Sequence, residues 1–211
     1  MIRFLRHMIL LACVAFSAIS SMAFANPLPP DQLVKQITQE TYVYVNQDPL
    51  LQKGDTSKLI EWAEKSVVNS FDFQRMTRLA VGKDWRQATP EQQKRLQEEF
   101  KGLLVRTYSG ALTQVKDQSV SAKPLRANPA DAEVIVRSEI IGRGDPIQLD
   151  YRMEKTPSGW RIYDLNVLGV WLVETYRTQF AQEISARGID GLIATLAERN
   201  KAAGAVSAKK G

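Results

Sequence analysis

The chain has 211 residues, a formal charge of +5, one histidine and one cysteine. The basic excess is mild, and no cluster of lysines and arginines is interleaved with aromatic residues, so the pattern does not indicate a nucleic-acid-binding surface. The length suffices for one domain with a substantial apolar core.

The first 25 residues have the organisation of a signal peptide. Arg3 and Arg6 form a positive region, an apolar run spans residues 8–19, and residues 23–25 (Ala-Phe-Ala) supply the small-x-small pattern that precedes cleavage. The apolar run is too short to cross a bilayer, which takes about 20 residues. We therefore expect a mature chain that begins at Asn26 and is exported to the periplasm or to the outside of a bacterial cell.

The predicted cleavage removes the single histidine and the single cysteine, His7 and Cys13. The remaining 186 residues then cannot form a Ser-His-Asp triad, a cysteine nucleophile, or a zinc site with histidine or cysteine ligands. Processing as a lipoprotein at Cys13 is an alternative, but it would leave almost no apolar segment ahead of that cysteine. Without a disulfide, the stability of the mature domain must come from packing.

Helices are predicted in the first half of the chain. The clearest start is at Thr89, because its hydroxyl can accept from backbone N–H groups, Pro90 suits the first helical position and Gln92 completes a capping box. Helical spacing of apolar residues and capping signals together predict four segments: Asp31 (as N-cap) to Asn46, Thr56 or Ser57 to Val68, Asp72 (as N-cap) to Gly82, and Thr89 to about Lys116.

From about residue 119 the apolar periodicity changes from helical to two. Ile147, Leu149, Tyr151 and Met153 alternate with polar residues, which is typical of a strand with one face buried and the other wet. The pattern predicts a curved antiparallel meander of about four strands: Ser119 to Leu125, Val134 to Ile140, Ile147 to Glu154, and Trp160 to Val167.

Gly169 is predicted to end the last strand, and helical spacing returns from Val170 to Arg187, with Gly188 as C-cap. A final short helix follows, and residues 201–211 are predicted to form a flexible tail. The order of helices, antiparallel sheet and helices predicts a single α+β domain over residues 26–200.

Two tyrosines and an aspartate leave an enzymatic interpretation open. Tyr151, Tyr163 and Asp164 could act as acid and base in a pocket of a cone-shaped α+β scaffold. The apolar periodicity around Asp164 does not show which face of the sheet its side chain occupies. The other carboxylates of the strand region are predicted by alternation to face solvent: Asp145, Asp150 and Glu154.

Two stretches of the chain resemble a known protein family. Residues 71–112 contain the helix start ATPEQ, and residues 159–196 contain the strand WRIYD, the following GV segment and GIDGL. Both stretches are similar to the MlaC, or toluene-tolerance auxiliary, family of periplasmic phospholipid-binding proteins of the Mla pathway.

The resemblance implies a carrier protein that is not an enzyme and has no cofactor. Family members hold a glycerophospholipid as cargo, with its acyl tails in an apolar pocket and its head group near solvent. The implied partners are the MCE-domain subunit of an inner-membrane ABC transporter and an outer-membrane lipoprotein–porin complex. The implied role of the carrier, expected to be a monomer, is lipid transport that maintains outer-membrane lipid asymmetry.

The residues expected to line the lipid pocket come from the matched segments and from the inferred strand faces. They are Phe71, Phe73, Met76, Leu79, Leu104, Tyr108, Tyr151, Met153, Tyr163, Leu165, Val167, Val170 and Leu172. A filled core would use the same residues, and a lipid-free adaptor between membrane complexes is a further alternative. Arg75 and Arg78 share a helix face and could contact a head group or a partner, although a solvated face is the simpler interpretation.

Overall fold

The structure is a computed structural model that describes residues 27–48, 51, 57–112, 119–125, 128, 130–142 and 145–208. The predicted signal peptide, Thr56 and the predicted helix end at Lys116 lie outside these residues. The described helices are α1 (Pro30–Gln47), α2 (Ser57–Ser66), α3 (Phe73–Val81), α4 (Pro90–Leu112) and α5 (Leu172–Ala208), with 3-10 turns at Val68–Ser70 and Gly82–Arg86. Within the described part of the chain, no helix combines the length and apolarity needed to cross a bilayer.

The starts of α3 and α4 confirm two predicted caps. The Asp72 side chain accepts from the backbone N–H of Arg75 at 2.7 Å. Thr89 and Gln92 form the reciprocal capping box, with bonds of 3.2 and 3.0 Å.

The start of α1 differs from the prediction, because its N-cap is Pro29 and Asp31 lies in the first turn. Pro30 takes the first helical position, where its missing N–H has no cost and its fixed φ suits the helix. The carboxylate of Asp31 still favours this end, since it lies near the positive pole of the helix.

The sheet is an antiparallel meander in which every strand pairs with its neighbour in sequence. Its strands are β1 (Ser119–Ala122), β2 (Glu133–Ile141), β3 (Ile147–Thr156), β4 (Gly159–Val167) and β5 (Val170–Trp171). The sheet therefore has five strands where about four were predicted. The two residues of β5 are too few to show a period, and the sequence assigned Val170 to the following helix; that helix begins at Leu172.

Three groups of buried side chains form the core, and the smallest comprises Val45, Leu51 and Leu59. The helical cluster joins α3, α4 and α5 and includes Phe100, whose ring packs edge-on against the rings of Tyr176 and Phe180 at 4.9 and 5.0 Å. The sheet cluster comprises Val34 of α1 and five strand residues: Val134, Val136, Tyr151, Met153 and Ile162. Phe71 and Leu165 pack against both the helical and the sheet cluster and so connect them.

Helix α5 is broken at Gly188, which has φ 70° and ψ −177°. The break confirms the predicted helix end there, since glycine adopts this left-handed backbone without a Cβ penalty. Beyond it, Asp190 accepts a 2.9 Å hydrogen bond from Gln92 at the start of α4. The helix continues to Ala208, into the segment that was predicted to be a flexible tail.

Candidate functional site

One face of the sheet carries apolar side chains on all five strands, together with the buried Ser138, and its apolar residues divide into two halves. Paired residues of neighbouring strands lie on the same face, as do residues two apart along a strand. The sealed half consists of the five strand residues of the sheet cluster, all at most 8% exposed: Val134, Val136, Tyr151, Met153 and Ile162. The open half consists of five aliphatic residues that are only half-buried: Val120, Ile140, Ile147, Leu149 and Val167.

Helix α1 contributes to the burial of the sealed half. Val34 on α1 is 1% exposed and belongs to the sheet cluster. The Tyr151 hydroxyl is hydrogen-bonded to Thr38 of α1 and to Ser138, and burial raises the pKa of Tyr151 to about 12. This tyrosine is therefore a neutral side chain of the core at any physiological pH.

Half-buried residues surround the helical cluster, and two of them, Phe71 and Leu165, also pack against the sheet cluster. Val68, Phe71, Leu79 and Tyr108 contact the helical cluster without being buried, as do Leu165 and Val167 of β4. A boundary between two layers that is apolar on both sides, yet incompletely buried, can accept an apolar ligand. We take this boundary and the open half together as the candidate site.

The thirteen residues predicted to line a pocket separate into three groups by burial. Seven are buried in the clusters: Phe73, Met76, Leu104, Tyr151, Met153, Tyr163 and Leu172. Five are half-buried at the boundary: Phe71, Leu79, Tyr108, Leu165 and Val167. Val170 is 54% exposed and belongs to neither cluster, because it lies on β5 directly after a two-residue turn instead of on a helix.

Four residues of the open half were not among the thirteen predicted to line a pocket. Val120, Ile140, Ile147 and Leu149 are aliphatic and were predicted to lie on strands. Ile147 and Leu149 belong to the period-two pattern that predicted the buried face of β3. That pattern could have identified them as lining residues. Val120 and Ile140 could be identified as neighbours only from the register of β1 on β2, which pairs these two residues.

Arg75, a candidate head-group contact in the sequence, is engaged within the protein. Its guanidinium pairs with Glu133 at 2.6 Å and with Glu154, and it lies 3.7 Å over the ring of Tyr163. Burial opposes its charge, but the bonds to the two carboxylates outweigh this and raise the pKa of Arg75. The group ties α3 to β2, β3 and β4.

Tyr163 donates to Glu133 at 2.9 Å. Burial, reinforced by that bond, raises the pKa of Tyr163 to about 12, while the Arg75 hydrogen bond lowers the pKa of Glu133. A phenol held neutral in this way is a poor general base near neutral pH.

Asp164 is 1% exposed and accepts three hydrogen bonds. The donors are Arg152 at 3.0 Å and the backbone N–H groups of Leu165 at 2.9 Å and Val173 at 3.0 Å. Burial raises the pKa of Asp164 in spite of these donors. Since Val173 lies in the first turn of α5, the carboxylate fastens that helix to β4, which is a structural role.

The polar face of β3 is less exposed than alternation predicted. Asp150 is 5% exposed and accepts from Ser138 and Gln148, and the Glu154 side chain is 19% exposed in its pair with Arg75. Hydrogen bonds and ion pairs cover these carboxylates, so the prediction that they face solvent was wrong; Asp145 is exposed as predicted. Across the described residues, no three His, Cys, Asp or Glu side chains are grouped as a metal site.

A second, shallow groove lies between α1 and α2, with a volume of about 410 Å³. Tyr44 and Trp62 stack in it with ring centroids 4.7 Å apart. Most of its other lining is polar, and it holds no convergent set of titratable groups, so it is a weaker candidate than the sheet boundary.

Comparison with known proteins bears on the candidate site. The family model described as "MlaC protein" matches residues 35–198. Over 124 residues the chain is 28% identical to "Toluene tolerance protein ttg2D" of Pseudomonas putida, a match that covers 56% of this chain and 58% of that protein's length. The chain thus spans less than two thirds of this curated relative.

A solved structure matches almost from end to end. It is the phospholipid-binding protein from Ralstonia solanacearum in complex with a phospholipid. Its sequence is 44% identical and its TM-score is 0.80, with 84% of this chain and 99% of that chain covered. The α+β arrangement of helices on an antiparallel sheet is therefore shared with a protein that was solved with a bound lipid.

Proposed function

Because the chain belongs to the MlaC protein family, we propose that it is a periplasmic carrier that binds a glycerophospholipid by its acyl chains. The proposed site is the boundary between the open half of the sheet and the helical layer. The observation that carries the proposal is the set of half-buried aliphatic residues Val120, Ile140, Ile147, Leu149 and Val167 on one sheet face, in a fold shared with a protein solved with phospholipid.

The energetics favour a carrier over free diffusion of the lipid. A diacyl lipid has about thirty methylenes, and each is worth about 0.8 kcal/mol when it leaves water, so exposing the tails would cost roughly 20 kcal/mol. Aliphatic and aromatic side chains offset this cost without a nucleophile, metal or cofactor. The open half would supply aliphatic contacts on one side, and the half-buried Phe71, Leu79 and Tyr108 would supply contacts on the other.

The seven buried residues of the predicted lining would lie behind the side chains that contact the lipid. They shape the walls of the proposed site, and separation of the layers around a lipid would bring some of them to its surface. Phe71 and Leu165 would be central, because each packs against both clusters.

We further propose that the protein moves lipid between membranes. Its partners would be the MCE-domain subunit of an inner-membrane ABC transporter and an outer-membrane lipoprotein–porin complex, and its role would be the maintenance of outer-membrane lipid asymmetry. Support for this step comes from family membership. No nucleic acid and no cofactor are required.

Lipid binding is tested on protein purified from cells without detergent. We expect native mass spectrometry to show a mass increase equal to a glycerophospholipid, and solvent extraction to release that lipid. A mass equal to the bare chain, obtained under gentle conditions and after incubation with phospholipid vesicles, would contradict the carrier and favour a lipid-free adaptor.

A matched pair of variants tests where the lipid lies. Leu165→Gln changes one of the two residues that contact both the helical and the sheet cluster, whereas Val43→Thr changes an exposed position on α1. We expect Leu165→Gln to lower bound lipid per protein and Val43→Thr to leave it unchanged. Equal lipid content in both variants would place the lipid elsewhere.

A further inference from the structure

The turn between β4 and β5 exposes two aliphatic side chains. Leu168 is 67% exposed and Val170 is 54% exposed, with Gly169 between them. Val167 pairs with Val170, so Leu168 and Gly169 form a two-residue hairpin loop. We call Leu168, Gly169 and Val170 the apolar tip.

The backbone of the tip is unfavourable for the leucine it carries. Leu168 has φ 52° and Gly169 has φ 86°, the pattern of a type I′ turn with positive φ at both central residues. Asn-Gly is the preferred pair in such turns, because asparagine tolerates the left-handed region far better than leucine. Leu168 therefore lowers stability and also exposes apolar surface, and an observed outlier of this kind motivates a functional hypothesis.

Two backbone donors of the tip are satisfied from within the protein. The Leu168 N–H donates to the carbonyl oxygen of Gln148 at 3.1 Å, and the Gly169 N–H donates to the side chain of Asn166 at 2.9 Å. Asn166 is itself 4% exposed. Backbone donors that are already paired can leave water without the cost that unpaired donors would carry.

The residue that follows the tip suits a membrane interface. Trp171 is half-buried, and the Arg152 guanidinium lies 3.8 Å over its ring. An aromatic ring with a cation beside it is typical of residues that lie at lipid head-group level, beneath aliphatic side chains that enter the acyl region. The tip itself carries no aromatic residue or arginine, which are the usual anchors of protein–protein interfaces.

The tip is also continuous with the proposed lipid site. Val170 pairs with Val167, which belongs to the open half, so the two side chains lie on the same face of the sheet. Apolar surface thus runs from the half-buried row to the exposed tip without an intervening polar side chain on that face of β5.

We propose that the apolar tip inserts into the surface of a phospholipid bilayer and so places the proposed lipid site against the membrane. This inference rests on the proposed carrier function. Two aliphatic side chains give a weak and reversible contact, which suits a protein that must leave the membrane again.

The test is flotation of the purified protein with vesicles of phosphatidylethanolamine and phosphatidylglycerol. The test variant combines Leu168→Asn, which gives the turn its preferred pair, with Val170→Thr, which keeps a β-branched residue on the strand. We expect the vesicle-bound fraction to fall about tenfold, since two aliphatic groups no longer leave water. Val43→Thr, a comparably exposed valine on α1, is the control and should float like the parent protein.

The fold of the double variant is verified by its unfolding temperature, which should equal or exceed that of the parent because the strained leucine is gone. Flotation that persists at high salt supports apolar insertion, whereas flotation lost at high salt and unaffected by the double variant would overturn it. A parent protein that does not float, or a double variant that floats equally well, would also overturn the inference.

Lipid extraction from the same preparations separates the two proposals. A parent protein that carries lipid but ignores vesicles refutes the tip and leaves the carrier intact. A parent that floats through the tip but carries no lipid refutes the carrier alone. If the double variant keeps its vesicle binding and instead loses capture of another protein, the tip is a protein interface and the proposal fails.

Discussion

The two halves of the apolar sheet face differ in what covers them, although their side chains are chemically alike. Met153 in the sealed half is 0% exposed, while Leu149, on the same strand and face, is half-buried. Met153 belongs to the sheet cluster together with Val34 of α1, whereas Leu149 packs at the edge of that cluster. The contrast shows how a single strand can contribute both to a core and to a ligand surface.

The sealed half should carry the larger share of stability. Met153→Ala removes side-chain atoms from a fully packed site, so we expect the free energy of unfolding to fall by about 3 kcal/mol. Urea unfolding followed by circular dichroism measures the change. A loss below about 1 kcal/mol would mean that the site collapses freely, and the division into halves would lose its energetic basis.

The Arg75 group should rank next, since it fastens the helical layer to the strand ends. Arg75→Met leaves Glu133 and Glu154, which are direct cross-strand partners, without their cation. We expect a loss of about 2 kcal/mol at neutral pH. Urea unfolding across a pH series measures it.

The pH dependence of this loss has a defined sign. The folded-state pKa of Glu133 lies below its ordinary value. Its stabilisation is therefore present above the ordinary pKa of glutamate and is lost as pH falls through the lowered, folded-state pKa. The difference between the parent and Arg75→Met should narrow in that acidic window; a constant difference would show that packing of the Arg75 stem dominates.

The open half should contribute less to stability than the sealed half and more to lipid binding. We expect Leu149→Gln to lower stability by only about 1 kcal/mol, because its side chain is already partly in water, and yet to reduce bound phospholipid. Lipid phosphorus per mole of protein provides the measurement. A variant with undiminished lipid would remove Leu149 from the proposed site.

The smallest change in lipid content is expected at a helix end outside the sheet. A variant there serves as the reference for the others. Thr89→Ala removes the side-chain half of the α4 capping box and should cost about 1 kcal/mol with no change in lipid content. Thermal unfolding and lipid phosphorus are compared with those of Leu149→Gln. If Thr89→Ala also lost lipid, destabilisation alone would explain the Leu149 result.

The sequence predicted local features of the fold well because their causes are local. The capping box at Thr89, the Asp72 cap and the helix break at Gly188 depend on residues within one turn of each other. The alternation on β3 predicted which side chains share the apolar face. Strand β5 escaped prediction because two residues show no period.

Partners distant in the chain could not be predicted. Arg75 was left facing solvent, but its carboxylates come from strands 58 and 79 residues away. Asp150 was predicted to face solvent but is buried. Alternation describes the direction of a side chain and not what lies over it. For the same reason, the sequence could not separate Met153, inside the sheet cluster, from Leu149 at its edge.

One irregularity in β4 has a consequence for how this protein can change in length. Arg152 pairs with Asp164 while Met153 pairs with Ile162, so Tyr163 is an extra residue with no partner on β3. Deleting Tyr163 would restore a regular ladder but remove the phenol that donates to Glu133, whereas a one-residue deletion elsewhere in β4 would turn side chains on one side of it to the opposite face. Insertions and deletions in this family should therefore spare β4 and collect in loops, and the bulge at Tyr163 should persist where the surrounding side chains have changed.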